Sequence, residues 1–246
     1  RLIEELDIPV FHDDQHGTAI VVAAGLINAL KLVNKKPEDV TVVVSGTGAA
    51  GNSIIRILNQ LKVKEIYGFN INGIIIAEDS DKYGFLDKEL VQLTNFSNKR
   101  LSIEEAMKEA DVFIGVSVAG ILSKDMVRSM KENPIVFAMA NPEPEISYAD
   151  AKEAGAAVVG TGRSDSPNQV NNILAFPGIF RGALDCRATK ITEEMKMAAA
   201  VGLASLVTEE ELTAEYVIPD VFDERVAQVV ASEVMRVARA TGIAKA

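Results

Sequence analysis

Apolar positions in this chain follow two alternating patterns. Residues 18–33 form a long apolar run broken by Asn28 and Lys31. The run is shorter than the ~20 apolar residues needed to span a membrane, so it reads as a buried core helix, with Gly17-Thr18 supplying the turn and N-cap. Pro37 and Asp39 end it. Residues 40–45, Val-Thr-Val-Val-Val-Ser, are β-branched without turn residues and read as a central strand. An amphipathic helix then runs to about Leu61, and residues 65–70 form the next strand, completing a βαβ unit.

The alternation continues more weakly. Ser102-Ile103-Glu104-Glu105 reads as a capping box before a short helix ending at Ala110. Strands are expected at 111–116, 134–139 and 157–159, with helices at 123–130 and 148–154 between them. Residues 71–100, rich in Asn, Asp and Lys, read as an exposed loop excursion. From Phe176 onward the pattern is helical only. Thr208-Glu209-Glu210-Glu211 reads as another capping box, and Val226, Val229, Val230, Val234 and Val237 share one face of a last helix ending near Thr241-Gly242. Strands alternating with helices predict an α/β fold: a Rossmann-like, doubly wound, mostly parallel sheet covered on both faces, with extra C-terminal helices.

Composition narrows the function classes. The 246 residues are 48% hydrophobic and 24% charged, as in an ordinary soluble globule. A net charge of −10 argues against a nucleic-acid or anionic-membrane surface, but not against a small anionic substrate met at a local site. The lone Cys186 can form no internal disulfide, which fits a reducing, cytoplasmic setting. The chain opens on Arg1 and enters Leu2-Ile3-Glu4-Glu5-Leu6, which reads as the middle or end of a helix, so the natural chain is expected to begin earlier.

Gly46-Thr47-Gly48-Ala49-Ala50-Gly51 lies directly between a buried strand and a helix, the context a dinucleotide fingerprint requires. Gly46 permits the tight turn, Gly48 lets backbone approach a pyrophosphate, and Gly51 lets the helix pack close to the strand. The helix N-terminus then offers N–H groups to the phosphates. The acid expected about 20 residues further on is replaced by Asn70. Its amide could bond a ribose hydroxyl without repelling a 2′-phosphate, or serve only as the turn residue before Gly73; the choice between NAD and NADP stays open.

Three small-polar sites fall where strands end: residues 115–120 with Ser117, Asn141 before Pro142, and Asn168-Gln169-Val170-Asn171-Asn172. Ligands of open α/β sheets sit at these carboxyl ends. Each Asn is also a good turn residue. Adjacent Asp13 and Asp14, flanked by His12 and His16, suit either a solvated turn or oxygen ligation of magnesium or manganese. On an extended backbone the two aspartates would face opposite ways, and both histidines could cap local backbone instead.

The string Phe11-His12-Asp13-Asp14-Gln15-His16-Gly17-Thr18-Ala19 followed by an apolar helix resembles the metal-binding segment of malic enzymes. The likeness continues through the glycine loop, Asn141-Pro142, Asn171-Asn172 with Phe176-Pro177-Gly178, and Ile218-Pro219-Asp220-Val221-Phe222-Asp223. It covers nearly the whole chain in order and is nearest to the compact bacterial-type enzymes.

The resemblance implies oxidative decarboxylation of malate to pyruvate and carbon dioxide with NAD or NADP and a divalent cation, Mg2+ or Mn2+. It implies Asp14 as a metal ligand, Asp13 as a support for the catalytic groups, residues 46–51 at the pyrophosphate, and Ser117 and Asn141 near the nicotinamide. Asn141, Asn171 and Asn172 would contact the malate carboxylates. The family's Glu-Asp ligand pair and its catalytic Tyr and Lys precede this segment and have no counterpart here. The expectation is therefore residues 1–17 as the end of a preceding catalytic domain, residues 18–246 as the NAD(P)-binding domain, and a dimer or larger homo-oligomer. Alternatives are a non-catalytic dinucleotide-binding module, or part of an oxaloacetate decarboxylase or malolactic-type relative.

Overall fold

The computed structural model describes residues 2–245; Arg1, on which the reading of the chain's start partly rests, lies outside them. In chain order the elements are α1 (Leu2–Glu5), α2 (Thr18–Leu32), β1 (Thr41–Ser45), α3 (Ala49–Gln60), β2 (Glu65–Asn70), β3 (Gly73–Ile74) and α4 (Phe85–Leu90). There follow α5 (Ile103–Glu109), β4 (Val112–Gly115), α6 (Lys124–Ser129), β5 (Ile135–Ala138), α7 (Tyr148–Glu153), β6 (Val158–Thr161), α8 (Phe176–Asp185), α9 (Glu193–Ser205) and α10 (Arg225–Ala240).

The strands form one sheet in the order β3-β2-β1-β4-β5-β6. All neighbours are parallel except the two-residue β3, which pairs antiparallel with β2. Side chains alternate faces along each strand, and this period splits the interior into two cores. Val42, Val44, Ile66, Val112, Ile114, Ile135, Phe137 and Val158 point into a large core with α2, α3, α8, α9 and α10. Val43, Tyr67, Phe113, Val136, Ala138 and Val159 point into a smaller one under α5, α6 and α7. The doubly wound sheet expected from the alternation is the observed fold. From β1 the chain crosses to β2 on one side and later to β4 on the other, so the crevice between the ends of β1 and β4 is where a ligand belongs.

The long apolar run is a core helix, with residues 19–26 and 28–30 all buried. Asn28, the polar break within it, donates to the Ala204 and Val217 carbonyls at 2.9 and 3.0 Å, which offsets its desolvation. On α10, Val226, Val230 and Val234 are buried and Val229 and Val237 pack partly against the same core. Gly178 and Gly182 let α8 approach α10 closely: a Cβ on Gly182 would lie 2.6 Å from the Ala231 carbonyl oxygen.

Four expectations need correction. Gly17-Thr18 is not an N-cap: a π-helical turn, Asp13–Gly17, feeds straight into α2, and Gly17 is already helical. Residues 71–100 are not an exposed excursion. They carry β3, α4 and the 3-10 turn Ala77–Lys82, and bury Ile75, Ile76, Leu90, Thr94 and Asn95. Thr208-Glu211 forms the side-chain bond of a capping box, Thr208 N–H to Glu211 Oε2 at 3.1 Å, but it closes a turn with no helix after it. Finally, the strand expected at 157–159 is Val158–Thr161. The Ser102 capping box does form as read.

Candidate functional site

At the carboxyl end of β1 the chain turns at Gly46, whose φ of 97° is in the left-handed region. A side chain there would also strike the Val116 carbonyl oxygen, 2.7 Å from an ideal Cβ. Gly51 sits where a Cβ would be 1.8 Å from the Gly46 carbonyl oxygen, so the close approach is to the loop itself as well as to the strand. Gly48 faces open space, with nothing within 4 Å of its Cβ position. No side chain caps α3. Its first-turn N–H groups therefore keep their capacity for an anion, and the loop fits a pyrophosphate.

Two cavities flank this loop and share Ser117. The smaller, about 400 Å³, runs beside Gly46 and Asn70 and is walled by Ile71, Leu101, Ile103, Val118 and Ile121. Its apolar walls suit a flat heterocycle. The larger, about 670 Å³, is lined by Ala50, Ser117, Asn141, Asn171, Asn172, Arg163 and Asp14. Thus Asp14, Ser117 and the three Asn residues singled out at strand ends and turns, 158 positions apart at the extremes, meet in one space. Ser117 Oγ lies 2.9 Å from Ser45 Oγ.

The π-helical turn presents Asp13 and Asp14 together. Asn172 donates to Asp13 Oδ2 at 2.8 Å and to Asp14 Oδ1 at 3.3 Å. Asp13 Oδ1 points inward, 2.2 Å from where a Gly17 Cβ would be, and is buried with no hydrogen-bond partner. Burial first and the Asp14 charge second raise the Asp13 carboxyl above its usual range, with His12 partly offsetting them. His16 Nδ1 accepts from the His12 N–H at 3.2 Å. Burial, then Lys196, push the His16 imidazole down to about 4, so it is neutral at neutral pH. It lines a different cavity, with Arg56 and Lys196.

The sequence matches the description "Malic enzyme, NAD binding domain" over residues 15–239. The chain belongs to the malic enzyme family. It is 57% identical to a bifunctional malic/malolactic enzyme of Bacillus subtilis and 53% identical to an NAD-dependent malic enzyme of Geobacillus stearothermophilus, in each case over the whole chain. It spans 60% and 51% of those two proteins. The solved malic enzyme of Pyrococcus horikoshii superposes with a TM-score of 0.93 at 45% identity, over 100% of this chain and 58% of that one. These likenesses bear out the malic enzyme resemblance and the Rossmann-like fold.

Within that family setting, a divalent cation can be tested against the residues present. Among the described residues no three His, Cys, Asp or Glu side chains converge on one point. Asp14 lies exposed on the cavity wall and offers one carboxylate arm. The donor set suits a hard cation but supplies only part of its shell.

Three residues at the site escaped the sequence reading. Glu145, fully buried, accepts from the Ser117 N–H at 2.9 Å and from the Ala140 N–H at 3.0 Å, so one carboxylate ties the ends of β4 and β5. Gly115 makes room for it: a Cβ there would lie 2.3 Å from the Glu145 carboxyl carbon. Glu143, two residues earlier, is exposed, and nothing in the sequence separates the two. Asp87, on α4, accepts from Thr47 Oγ1 in the glycine loop. Arg163 lines the larger cavity, paired with Asp165 at 2.6 Å.

Proposed function

We propose that this chain is the nucleotide-binding part of an NAD(P)-dependent, divalent-metal-dependent malic enzyme that converts malate to pyruvate and carbon dioxide. The observation that carries this reading is the single cavity in which the glycine-loop helix, Ser117, Asn141, Asn171 and Asp14 meet. A hydride acceptor and a Lewis acid at a substrate oxygen are the chemistry that such bound groups supply.

The chain's own residues bind and orient. Gly46, Thr47, Gly48, Ala49, Ala50 and Gly51 would hold the pyrophosphate, with Asn70 towards the adenosine end and Ser117 and Asn141 towards the nicotinamide end. Asp14 would supply one metal arm. Asp13, anchored by Asn172, would support the acid–base groups. Asn141 and Asn171 would donate to substrate carboxylates, and Asn172 steadies both aspartates. A catalytic base and acid would come from a segment outside this sequence, and we expect a cytoplasmic homo-oligomer. Among the described residues no helix is long and apolar enough to cross a membrane.

The test is the complete gene product with L-malate, manganese and NAD or NADP. Reduced nicotinamide should accumulate together with pyruvate, and both should stop when the metal is chelated. No reduction of either nucleotide would overturn the reading. A second reading has one observation behind it: the 57% identical Bacillus subtilis relative is named a bifunctional malic/malolactic enzyme. Lactate formed from malate without net nucleotide reduction would favour it.

A further inference from the structure

The end of β2 lacks the carboxylate that would accept from an adenosine ribose, and the structure shows what stands in for it. Asn70 is held at both ends of its amide: its Oδ1 accepts from the Asn72 N–H at 2.8 Å, and its Nδ2 donates to Asp87 Oδ2 at 2.9 Å. The other Asp87 oxygen accepts from Thr47 Oγ1 at 2.8 Å. One carboxylate from α4 therefore bridges the glycine loop and the tip of β2, the two points between which an adenosine ribose lies in this fold.

We propose that Asp87 replaces the acid missing from β2 and makes this site select NAD over NADP. The proposal rests on the dinucleotide reading given above. Each Asp87 oxygen has lone-pair capacity beyond its one bond, so ribose hydroxyls can donate to it. A 2′-phosphate placed there meets a fixed like charge instead.

Among the described residues, the cavity wall offers that phosphate no lining cation, and most nearby cations are engaged elsewhere. No Lys or Arg lines the apolar cavity beside Asn70. Arg56 is held by Asn52 and Glu89, and Lys82 and Arg100 are both held by Asp79. Lys88 is exposed and adjoins Asp87 on α4, but successive helix positions do not share a face. An NADP site places an arginine at this point, and Asp87 has the opposite charge.

The test is titration of the complete gene product with NADH and NADPH, followed by nicotinamide fluorescence. NADH should bind tighter by about tenfold or more. Asp87→Asn should bring the two affinities towards parity, chiefly by tightening NADPH. If that variant does not fold, added salt on the unaltered chain carries the test, since screening should narrow the gap. Equal affinities, or a ratio that neither the substitution nor salt moves, would overturn the role of Asp87 alone. Binding of neither nucleotide would overturn the dinucleotide reading and Asp87's role with it.

Discussion

Asn172 donates to Asp13 Oδ2 at 2.8 Å across 159 positions of sequence. This contact joins the π-helical turn to the segment leading into α8, and it satisfies one oxygen of a carboxylate whose other oxygen is buried without a partner. Asn172→Ala should lower stability by about 1 kcal/mol, the cost of leaving a half-buried carboxylate oxygen without its donor. Asn172→Asp should cost more, because it brings a third carboxylate to the pair. Thermal unfolding of the two variants checks the order, and an aspartate variant more stable than the alanine one would contradict it.

Gly51→Ala places a Cβ 1.8 Å from the Gly46 carbonyl oxygen, which is backbone and cannot swing away. The loop must shift to admit it. Nucleotide affinity should fall by about tenfold or more, with about 1–3 kcal/mol of overpacking cost to the fold. Gly48→Ala meets open space at its Cβ and should cost the fold little, yet still obstruct a pyrophosphate. Calorimetric titration with NADH, alongside melting curves, separates the two effects.

Glu145→Gln keeps the shape of the buried side chain but turns one of two acceptor oxygens into a donor. Either the Ser117 or the Ala140 N–H then faces an NH2 group. A loss of about 1–3 kcal/mol is expected, with amide exchange becoming faster first at Ser117 and Ala140. Unchanged exchange at both would show that the carboxylate does not tie the two strand ends.

Buried Asp111 should contribute to acid sensitivity. Burial alone would raise its carboxyl, but the Thr41 N–H and the Lys35 and Lys131 ammonium groups outweigh it and hold it below the usual carboxylate range. A folded-state value below the unfolded one, about 3.9, adds stability that is present above that value. That stability is lost as pH falls through the lower folded value. Asp111→Asn should be less stable by about 2 kcal/mol at neutral pH, since it leaves half-buried Lys35 unpaired. Its stability should also fall less steeply on acidification below pH ~4.

Much of the fold was legible because its causes are local. The continuously buried runs of β1, β4 and β5, the apolar run of α2 and the Ser102 box are each set by residues within one element. Residues 71–100 were not legible because their order comes from afar. Glu65 accepts from the Phe96 and Ser97 N–H groups, and buried Asn95 donates to the Ile75 and Lys99 carbonyls. At the site, the glycine loop announced itself through spacing, whereas Glu145 and Asp87 act on partners 28 and 40 positions away, at separations no motif records. Thr208 and Glu211 show the reverse limit: the local bond forms, but the Thr213–Tyr216 bridge follows and no helix grows from it.

The central claim is that Asp14 and the glycine loop serve one site in separable roles. Its most direct measurement is metal-dependent malate oxidation and NADH binding by the complete gene product carrying Asp14→Ala. Turnover should be abolished while NADH affinity stays within about twofold of the unaltered protein, since Asp14 lies in the larger cavity, away from Gly46 and Asn70. Turnover that survives the substitution would contradict the claim.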